Sequence, residues 1–244
     1  MSDFIKSYLK NSWPTLFEII RFVYTKVRQA IGLILRPYQI KKYFSDHSTI
    51  KLCIGSGKDK RSGWLNTDYA PSMGVMYLDA TRKFPFSEKS TDYIYTEHMI
   101  EHISLTYAKK MLEECFRVLR NGGVLRIATP DLNNMVRLLT DRTADETTHY
   151  SQWLNKTFGD AYAKKYFDNP CIAFNLAMHE WGHQFIFDEF TLRQLLNEVG
   201  FVDIVRCKLH ESTRDAFKGI ELHGIPENED MTEFETMVIE ATKP

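Results

Sequence analysis

The chain has 244 residues, of which 43% are hydrophobic and 13% aromatic, which favours one domain with an accessory segment. Its formal net charge of −1 gives no global basic field and argues against a nucleic-acid partner. Four cysteines lie far apart without CxxC pairs, which excludes a disulfide framework and a zinc knuckle and is typical of a reduced, cytoplasmic protein.

The first 46 residues differ in charge from the rest. They hold eight Lys or Arg side chains against three acids, which leaves the remainder of the chain net acidic. Residues 12–36 place apolar side chains at three- and four-residue steps, a pattern that predicts an amphipathic helix with Pro14 in its first turn and Pro37 at its end. Charged residues interrupt the apolar stretch, so we do not expect it to cross a bilayer.

The role of this helix has three interpretations. Packing of its apolar face onto the domain is the default, because apolar helix faces are usually buried. An oligomer (dimer) interface and contact with an anionic membrane surface are the alternatives, and the basic side chains suit the membrane. The predicted location is therefore cytoplasmic, with a peripheral membrane contact or a dimer contact through residues 12–36 left open, and the oligomeric state is undetermined.

From residue 50 onward, short β-prone runs alternate with helical runs. Strands are predicted over residues 51–54, 75–78, 93–95 and 124–128, and a helix over residues 105–120. Asn121-Gly122-Gly123 is expected to end that helix through a glycine in the left-handed conformation. Alternation of this kind predicts an α/β fold with a mostly parallel sheet and helices on both faces.

The C-terminal part of the chain predicts the end of the sheet. A helix is expected over residues 188–199, followed by β-like runs at 202–207 and 235–241. Residues 210–232 are charged and carry glycine and proline, so no helix is expected there and the final two strands are predicted to be antiparallel. Residues 133–187 interrupt the alternation and are rich in Tyr, Phe and Trp.

Three successive predicted strands end in residues suited to a nucleotide-like ligand. The first runs into Gly55-Ser56-Gly57, where glycines let the backbone approach a ligand closely. Asp68 closes the second strand, where a carboxylate can accept two hydrogen bonds from a ribose diol, and Asp79 closes the third. Each aspartate alone is as readily a solvated loop residue or a helix cap, but the succession of all three favours a ligand site.

These residues lie within longer motifs that follow one another over residues 50–207. The chain resembles the class I S-adenosylmethionine-dependent methyltransferases, especially a bacterial group with the pattern Leu-Asn-Leu-Gly-Cys/Ser-Gly, Gly-Trp-x-Asn-x-Asp and Ser-x-His-x-x-Glu-His. The matching segments near the start are Leu-Cys-Ile-Gly-Ser-Gly at 52–57, Gly-Trp-Leu-Asn-Thr-Asp at 63–68 and Thr-Glu-His-Met-Ile-Glu-His at 96–102. The later ones are Glu-Cys-Phe-Arg-Val-Leu-Arg-Asn-Gly-Gly-Val-Leu-Arg-Ile at 114–127, Thr-Pro-Asp-Leu at 129–132 and Gly-His-Gln-Phe-Ile-Phe-Asp-Glu-Phe-Thr-Leu-x-x-Leu-Leu-x-x-x-Gly-Phe at 182–201. The resemblance implies a Rossmann-like fold with a seven-stranded, mostly parallel sheet whose last strand is antiparallel.

The resemblance also implies S-adenosylmethionine as the cofactor. The residues it assigns are Gly55, Ser56 and Gly57 at the methionine portion, Asp68 at the ribose, Asp79 with Ala80 at the adenine, and Thr96 with Glu97 at the reactive end. Tyr69, next to Asp68, is a further candidate for cofactor binding. Two departures concern the amino-acid end of the cofactor. Cys53 stands where many class I enzymes carry an acid, and Asp59 stands where a third glycine is common.

Three histidines are candidates for catalysis, because an imidazole can take a proton from an oxygen or nitrogen acceptor at neutral pH. His98 and His102 follow the fourth strand and would share a helix face if a helix begins there. His98 is the candidate next to the acceptor, whereas His102 is expected to be structural. His183 is a second candidate base, with packing against the following helix as the alternative.

Residues 179–183, His-Glu-Trp-Gly-His, also satisfy the His-Glu-x-x-His pattern of zinc proteases. That pattern needs a helix that presents both histidines to one metal, and a glycine inside it weakens a helix by about 1 kcal/mol relative to alanine. The sequence offers no evident third ligand downstream, so no metal site is predicted.

The leading hypothesis is therefore a methyltransferase that acts on an oxygen or nitrogen atom of a small-molecule, sugar-containing or glycan-type acceptor, without a nucleic-acid partner. Residues 1–46 are expected to form a helical extension, and residues 47–244 the methyltransferase domain with an insertion at about 133–187 on the acceptor side. A non-catalytic module that binds the cofactor is the alternative, and a zinc hydrolase is a third hypothesis.

Overall fold

The computed structural model describes residues 13–223 and 228–244, so residue 12, the predicted start of the first helix, lies outside the described residues. The helices are α1 (Pro14–Asp46), α2 (Leu105–Val118), α3 (Leu132–Thr140), α4 (Asp145–Phe158), α5 (Ala161–Lys165), α6 (Pro170–His179), α7 (Glu189–Val199) and α8 (Glu229–Glu235). The strands are β1 (Lys51–Ile54), β2 (Leu65–Asp68), β3 (Met76–Tyr77), β4 (Thr91–Glu97), β5 (Leu119–Pro130), β6 (Val202–Cys207) and β7 (Thr236–Thr242).

The strands form one seven-stranded sheet in the order β3-β2-β1-β4-β5-β7-β6. Strands β1 to β5 pair in parallel, whereas β7 runs antiparallel to both of its neighbours, β5 and β6. The predicted fold class is therefore confirmed: a Rossmann-like α/β fold with a mostly parallel sheet, an antiparallel last strand and helices around it.

The register brings the carboxyl ends of the central strands together. Ile54 at the end of β1 pairs with Thr96 on β4, and Thr96 pairs with Ile127 on β5. The loop after β1 and the ends of β4 and β5 therefore meet at one edge of the sheet. In open α/β sheets this edge is where ligands bind.

Two apolar clusters support this edge. The larger one joins the sheet to α2 and α7 and includes the fully buried Ile94 and Leu196. The smaller one joins α3, α4 and α6 and includes the fully buried Leu138 and Leu154. The helices of the predicted insertion at about 133–187 thus share a core beside the carboxyl ends of the strands.

The first helix is longer than predicted. α1 passes through Pro37 and ends at Asp46, although a proline inside a helix costs about 3 kcal/mol. The turns after the proline stay helical because Tyr43 is buried, with its hydroxyl oxygen 3.0 Å from the carbonyl oxygens of Lys51 and Gly63. Tertiary packing therefore outweighs the local preference. The division of the chain into residues 1–46 and 47–244 stays a prediction.

Two boundaries near the sheet also differ from the predictions. α2 ends at Val118, because Leu119 already pairs with Thr91 of β4. Gly122, with φ of 78°, lies where the β4–β5 register shifts rather than at a helix end. The expectation of no helix before the last strand is wrong, since α8 forms there and Phe234 packs into the smaller apolar cluster.

Candidate active site

A cavity of about 450 Å³ opens where β1, β4 and β5 end. The glycine loop after β1, the segment after β4 and helices α4 and α6 of the insertion contribute to its wall. All three candidate histidines line this cavity, together with several aromatic side chains: His98, His102, His183, Tyr150, Trp153, Phe158 and Trp181.

The loop after β1 has a backbone conformation that favours glycine. Gly55 and Gly57 have φ of 72° and 55°. A Cβ at Gly55 would lie 2.4 Å from Met99 Cγ, whereas a Cβ at Gly57 would meet nothing within 4 Å. Ser56 is buried, and its Oγ has no hydrogen-bond partner among the described residues. The loop therefore combines open space with an unsatisfied hydroxyl, features that a bound ligand can fill.

Asp68 ends β2 and fixes the glycine loop. Its Oδ2 accepts a hydrogen bond from the Gly57 amide at 2.9 Å, and its Oδ1 accepts one from the Ala70 amide at 2.7 Å. Each carboxylate oxygen keeps a second lone pair for a further donor. Tyr69 turns toward α1 instead, and its hydroxyl oxygen lies 3.4 Å from Lys26 Nζ.

Asp79 and Ala80 follow β3, outside the cavity lining. The Oδ1 atom of Asp79 accepts hydrogen bonds from the backbone amide and the hydroxyl of Thr81, at 3.0 and 2.6 Å. The other oxygen pairs with Arg82 Nε at 3.1 Å. This carboxylate therefore caps the turn after β3, and its predicted contact with adenine stays a prediction.

Residues at the end of β4 bind the segment that contains Leu222 and His223, which is distant in the sequence. Thr96 is buried, and its Oγ1 has no hydrogen-bond partner within the described part of the chain. The carboxylate of Glu97 pairs with the Arg61 guanidinium and accepts hydrogen bonds from the amides of Leu222 at 3.0 Å and His223 at 3.2 Å. Glu97 thus holds the segment before α8 against the site.

The segment after β4 does not begin an α-helix. His98 has φ of 44°, in the left-handed region, and a single 3-10 turn (Ile100–His102) separates it from α2. His98 and His102 therefore do not share a helix face, although both line the cavity.

The imidazole of His98 is a cation at neutral pH. Burial acts to lower its pKa, but the carboxylate of Glu101, with Oε1 3.4 Å from Nδ1, and the charges of Glu235 and Glu97 together raise it to about 9. The other ring nitrogen, Nε2, lies 3.1 Å from Thr236 Oγ1. A protonated imidazole has no lone pair to take a proton, so His98 does not suit the role of general base.

His223 stacks on His98, with 4.0 Å between ring centroids and 24° between the planes. Burial and the charge of His98 lower the pKa of His223, so the stacked pair holds one proton. The Glu235 carboxyl lies 3.6 Å from His223 Nε2 and accepts a hydrogen bond from the Tyr150 hydroxyl at 2.6 Å. Burial raises the pKa of Glu235.

The imidazole of His183 is neutral, in contrast to that of His98. Its Nδ1 lies 2.8 Å from the Ala177 carbonyl oxygen, which can only accept, so Nδ1 carries the hydrogen and Nε2 keeps its lone pair. Burial lowers the pKa of His183 below the usual 6.5, which keeps the ring neutral. The His102 ring lies edge-on to it, with 4.9 Å between centroids.

The His-Glu-x-x-His pattern does not form a metal site. His179 is the last residue of α6 and lines a separate surface depression, whereas His183 lines the main cavity. The helix ends before Gly182, whose φ is 75°, so the two histidines do not share the helix that such a site requires.

Two other groups of described residues have their ligand atoms within 4.8 Å of one another. They are Glu101 with His102 and His183, and His98 with His223 and Glu235. The absence of a metal from this site stays a prediction.

Residues 52–127, which run from β1 into β5, match the family model described as methyltransferase domain. This match supports the resemblance to the class I S-adenosylmethionine-dependent methyltransferases over that segment. No curated protein sequence matches this chain.

Several solved structures are similar to this chain. A Thermotoga maritima protein described as a SAM-dependent methyltransferase and possible histamine N-methyltransferase is 18% identical, with a TM-score of 0.45 and 100% of both chains covered. A SAM-dependent methyltransferase from Archaeoglobus fulgidus is 17% identical, with a TM-score of 0.46 over 88% of this chain and 94% of that one. Phosphoethanolamine N-methyltransferase 2 from Haemonchus contortus is 14% identical, with a TM-score of 0.41 over 80% of this chain and 49% of that one. At these identities and TM-scores, the similarities indicate nothing about what the chain acts on.

Several residues of the cavity were not predicted from the sequence. Glu101 stands within a recognised motif, but its pairing with His98 depends on the left-handed turn after β4. Arg61, His223 and Glu235 carry no local signal, because each reaches the site from a loop or helix far away in the sequence. Their place in the site follows from contacts in the folded structure and not from a sequence motif.

Proposed function

We propose that the chain transfers the methyl group of S-adenosylmethionine to an oxygen or nitrogen atom of a small-molecule or sugar-containing acceptor, with His183 as the general base. The observation that carries the proposal is the contact between His183 Nδ1 and the Ala177 carbonyl, because it leaves Nε2 of a neutral imidazole at the wall of the cavity.

The cofactor assignments form part of this proposal. Gly55, Ser56 and Gly57 would hold the methionine portion, and the open space at Gly57 and the unsatisfied Ser56 hydroxyl support that role. The assignments that complete it are Asp68 and Tyr69 at the ribose, Asp79 and Ala80 at the adenine, and Thr96 and Glu97 at the reactive end. The free lone pairs of the Asp68 carboxylate support the ribose contact.

The acceptor would lie against the aromatic wall of the cavity. The Phe158 ring centroid lies 5.4 Å from that of Trp153 and 5.1 Å from that of Trp181. Such flat apolar faces, combined with a few polar groups, are typical of small-molecule sites and suit the C–H face of a sugar ring. The net acidic charge of the chain after residue 46 disfavours a nucleic acid as the acceptor.

The chemistry requires little more than alignment and proton removal. The bound cofactor supplies a methyl group on a positively charged sulfur. The glycine loop and the aromatic wall would hold donor and acceptor in line, which converts an encounter into a unimolecular step. Nε2 of His183 would take the acceptor's proton. His98, held as a cation by Glu101, cannot compete for that proton.

The substitution His183→Asn tests the proposal. It removes the basic nitrogen while its amide can still donate to the Ala177 carbonyl. We expect kcat to fall by about 100-fold or more, with an unchanged Kd for S-adenosylmethionine. The measurement is S-adenosylhomocysteine formation over a panel of sugar-containing and amine acceptors. His179→Asn is the matched control, because His179 lies outside the cavity.

The result for His183→Asn distinguishes a catalytic role of His183 from a structural one. Turnover of His183→Asn at the wild-type rate would remove His183 from proton transfer. A loss of cofactor affinity in the same variant would make His183 a structural residue. Cofactor binding without transfer to any acceptor of the panel would favour a non-catalytic binding module instead.

A further inference from the structure

α1 carries an apolar stripe that the rest of the described chain does not cover. Its members follow one another at three- and four-residue steps, the spacing of one helix face, and each is between 40% and 77% exposed. They are Leu16, Ile20, Val23, Val27, Ile31, Ile34 and Tyr38. Monomeric soluble proteins rarely expose so large a contiguous apolar surface without a function.

The opposite side of the helix fixes it to the domain. Gln29 Nε2 donates to the Tyr69 carbonyl at 2.9 Å, and a Cβ at Gly32 would lie 2.7 Å from Tyr77 Cβ. Tyr43, on the same side of the helix, is buried. The apolar stripe therefore points away from the domain. The default interpretation of this stripe, burial on the domain, is wrong for the described residues.

The charge of α1 indicates what covers the stripe. Six basic side chains stand against two acidic ones in this helix. The basic residues are Arg21, Lys26, Arg28, Arg36, Lys41 and Lys42. A second copy of the chain would bring the same cations into one interface, where like charges repel. A surface of anionic headgroups over an apolar interior complements both the charge and the stripe.

We propose that α1 lies in the plane of a membrane that contains anionic phospholipids, with the stripe among the acyl chains and the basic side chains at the headgroups. Trp13 and Tyr24, which lie outside the stripe, are each 60% exposed and suit the boundary between headgroups and acyl chains. None of the described helices is long and apolar enough to cross a membrane. The contact is therefore peripheral, and it holds the domain at the membrane surface.

Flotation with lipid vesicles tests this inference independently of any methyl transfer. The full chain is mixed with phosphatidylcholine vesicles, with or without phosphatidylglycerol, and centrifuged through a density gradient. We expect the protein to float with phosphatidylglycerol vesicles, to float less with phosphatidylcholine alone, and to dissociate as salt rises. The double variant Val27→Asp, Ile34→Asp should lose at least about tenfold in bound fraction, since both exposed positions lie on the stripe.

The matched control is Phe190→Asp, Val202→Asp, which makes the same chemical change at two exposed positions outside α1. It should float like the wild type. Wild-type protein that stays unbound with phosphatidylglycerol vesicles would overturn the inference. A lipid-free dimer that the Val27→Asp, Ile34→Asp variant converts to a monomer would also overturn it, because a second copy would then cover the stripe.

Discussion

Two imidazoles of the cavity differ in protonation because their neighbours differ. His98 faces the carboxylates of Glu101, Glu235 and Glu97 and stacks on the neutral His223, so its raised pKa keeps it charged. His183 donates to a backbone carbonyl and lies in a partly buried position that lowers its pKa. One ring is thus a fixed charge and the other an available base.

The charge of His98 predicts how stability depends on pH. Because its folded pKa is about 9, above the 6.5 of a free imidazole, its contribution is fully present below pH 6.5 and is lost as pH rises through about 9. The shift corresponds to roughly 3 kcal/mol of unfolding free energy. Urea denaturation of the wild type between pH 6 and 10 should show that decline.

The variant His98→Asn should flatten the decline, and asparagine tolerates the left-handed backbone found at this position. His179→Asn, at an exposed position, should keep the wild-type profile. A profile of His98→Asn as steep as that of the wild type would show that another group is responsible.

At the scale of elements, a buried arginine holds the chain segment that carries His223. Arg126 on β5 is fully buried and pairs with Glu221 at 2.7 Å and with Glu240 at 2.5 Å. Its guanidinium also donates to the carbonyl oxygens of Glu211 and Lys208, at 3.0 and 3.3 Å. Arg126 thus holds the segment 208–221, which leads to His223, against the sheet.

Replacing this arginine should therefore be costly. Arg126→Met leaves Glu221 and Glu240 without their buried cation, so we expect the free energy of unfolding to fall by about 3–5 kcal/mol in urea denaturation. The control Arg120→Met breaks an exposed pair with Asp92 and should cost no more than about 1 kcal/mol. Equal losses in both variants would contradict the anchoring role.

The sequence predicted those parts of the fold and site that depend on local signals. The glycine loop, Asp68 and the residues after β4 stand at strand ends, and the alternation of elements gave the strand–helix order. Local signals could not predict α1 beyond Pro37, because the packing of Tyr43 decides its length. They also could not predict α8.

The stacking of His223 on His98 also could not be predicted from local signals, because the two residues lie 125 positions apart in the sequence. Neither the length nor the charge of a loop specifies which distant side chain the loop will contact. The contacts of Arg126 and Glu97 place the segment that carries His223, and both side chains bind residues outside their own motifs.

At the scale of the whole molecule, three parts have separate tasks. The sheet presents the glycine loop and the ends of β4 and β5 at one edge, and the insertion helices wall the cavity there. α1 attaches at the far edge of the sheet, next to β3, with its apolar stripe turned outward. A cofactor at the sheet edge is the condition on which the rest of the account depends.

Calorimetric titration of the full chain with S-adenosylmethionine, and then with S-adenosylhomocysteine, tests that condition most directly. We expect saturable binding of both at about one site per chain. Asp68→Ala should weaken binding at least about tenfold, or 1.4 kcal/mol, because it removes the proposed ribose contact and the partner of the Gly57 amide. Asp215→Ala, at an exposed position, should bind like the wild type. Folded wild-type protein that binds neither ligand, or Asp68→Ala that binds as tightly as the wild type, would contradict the account.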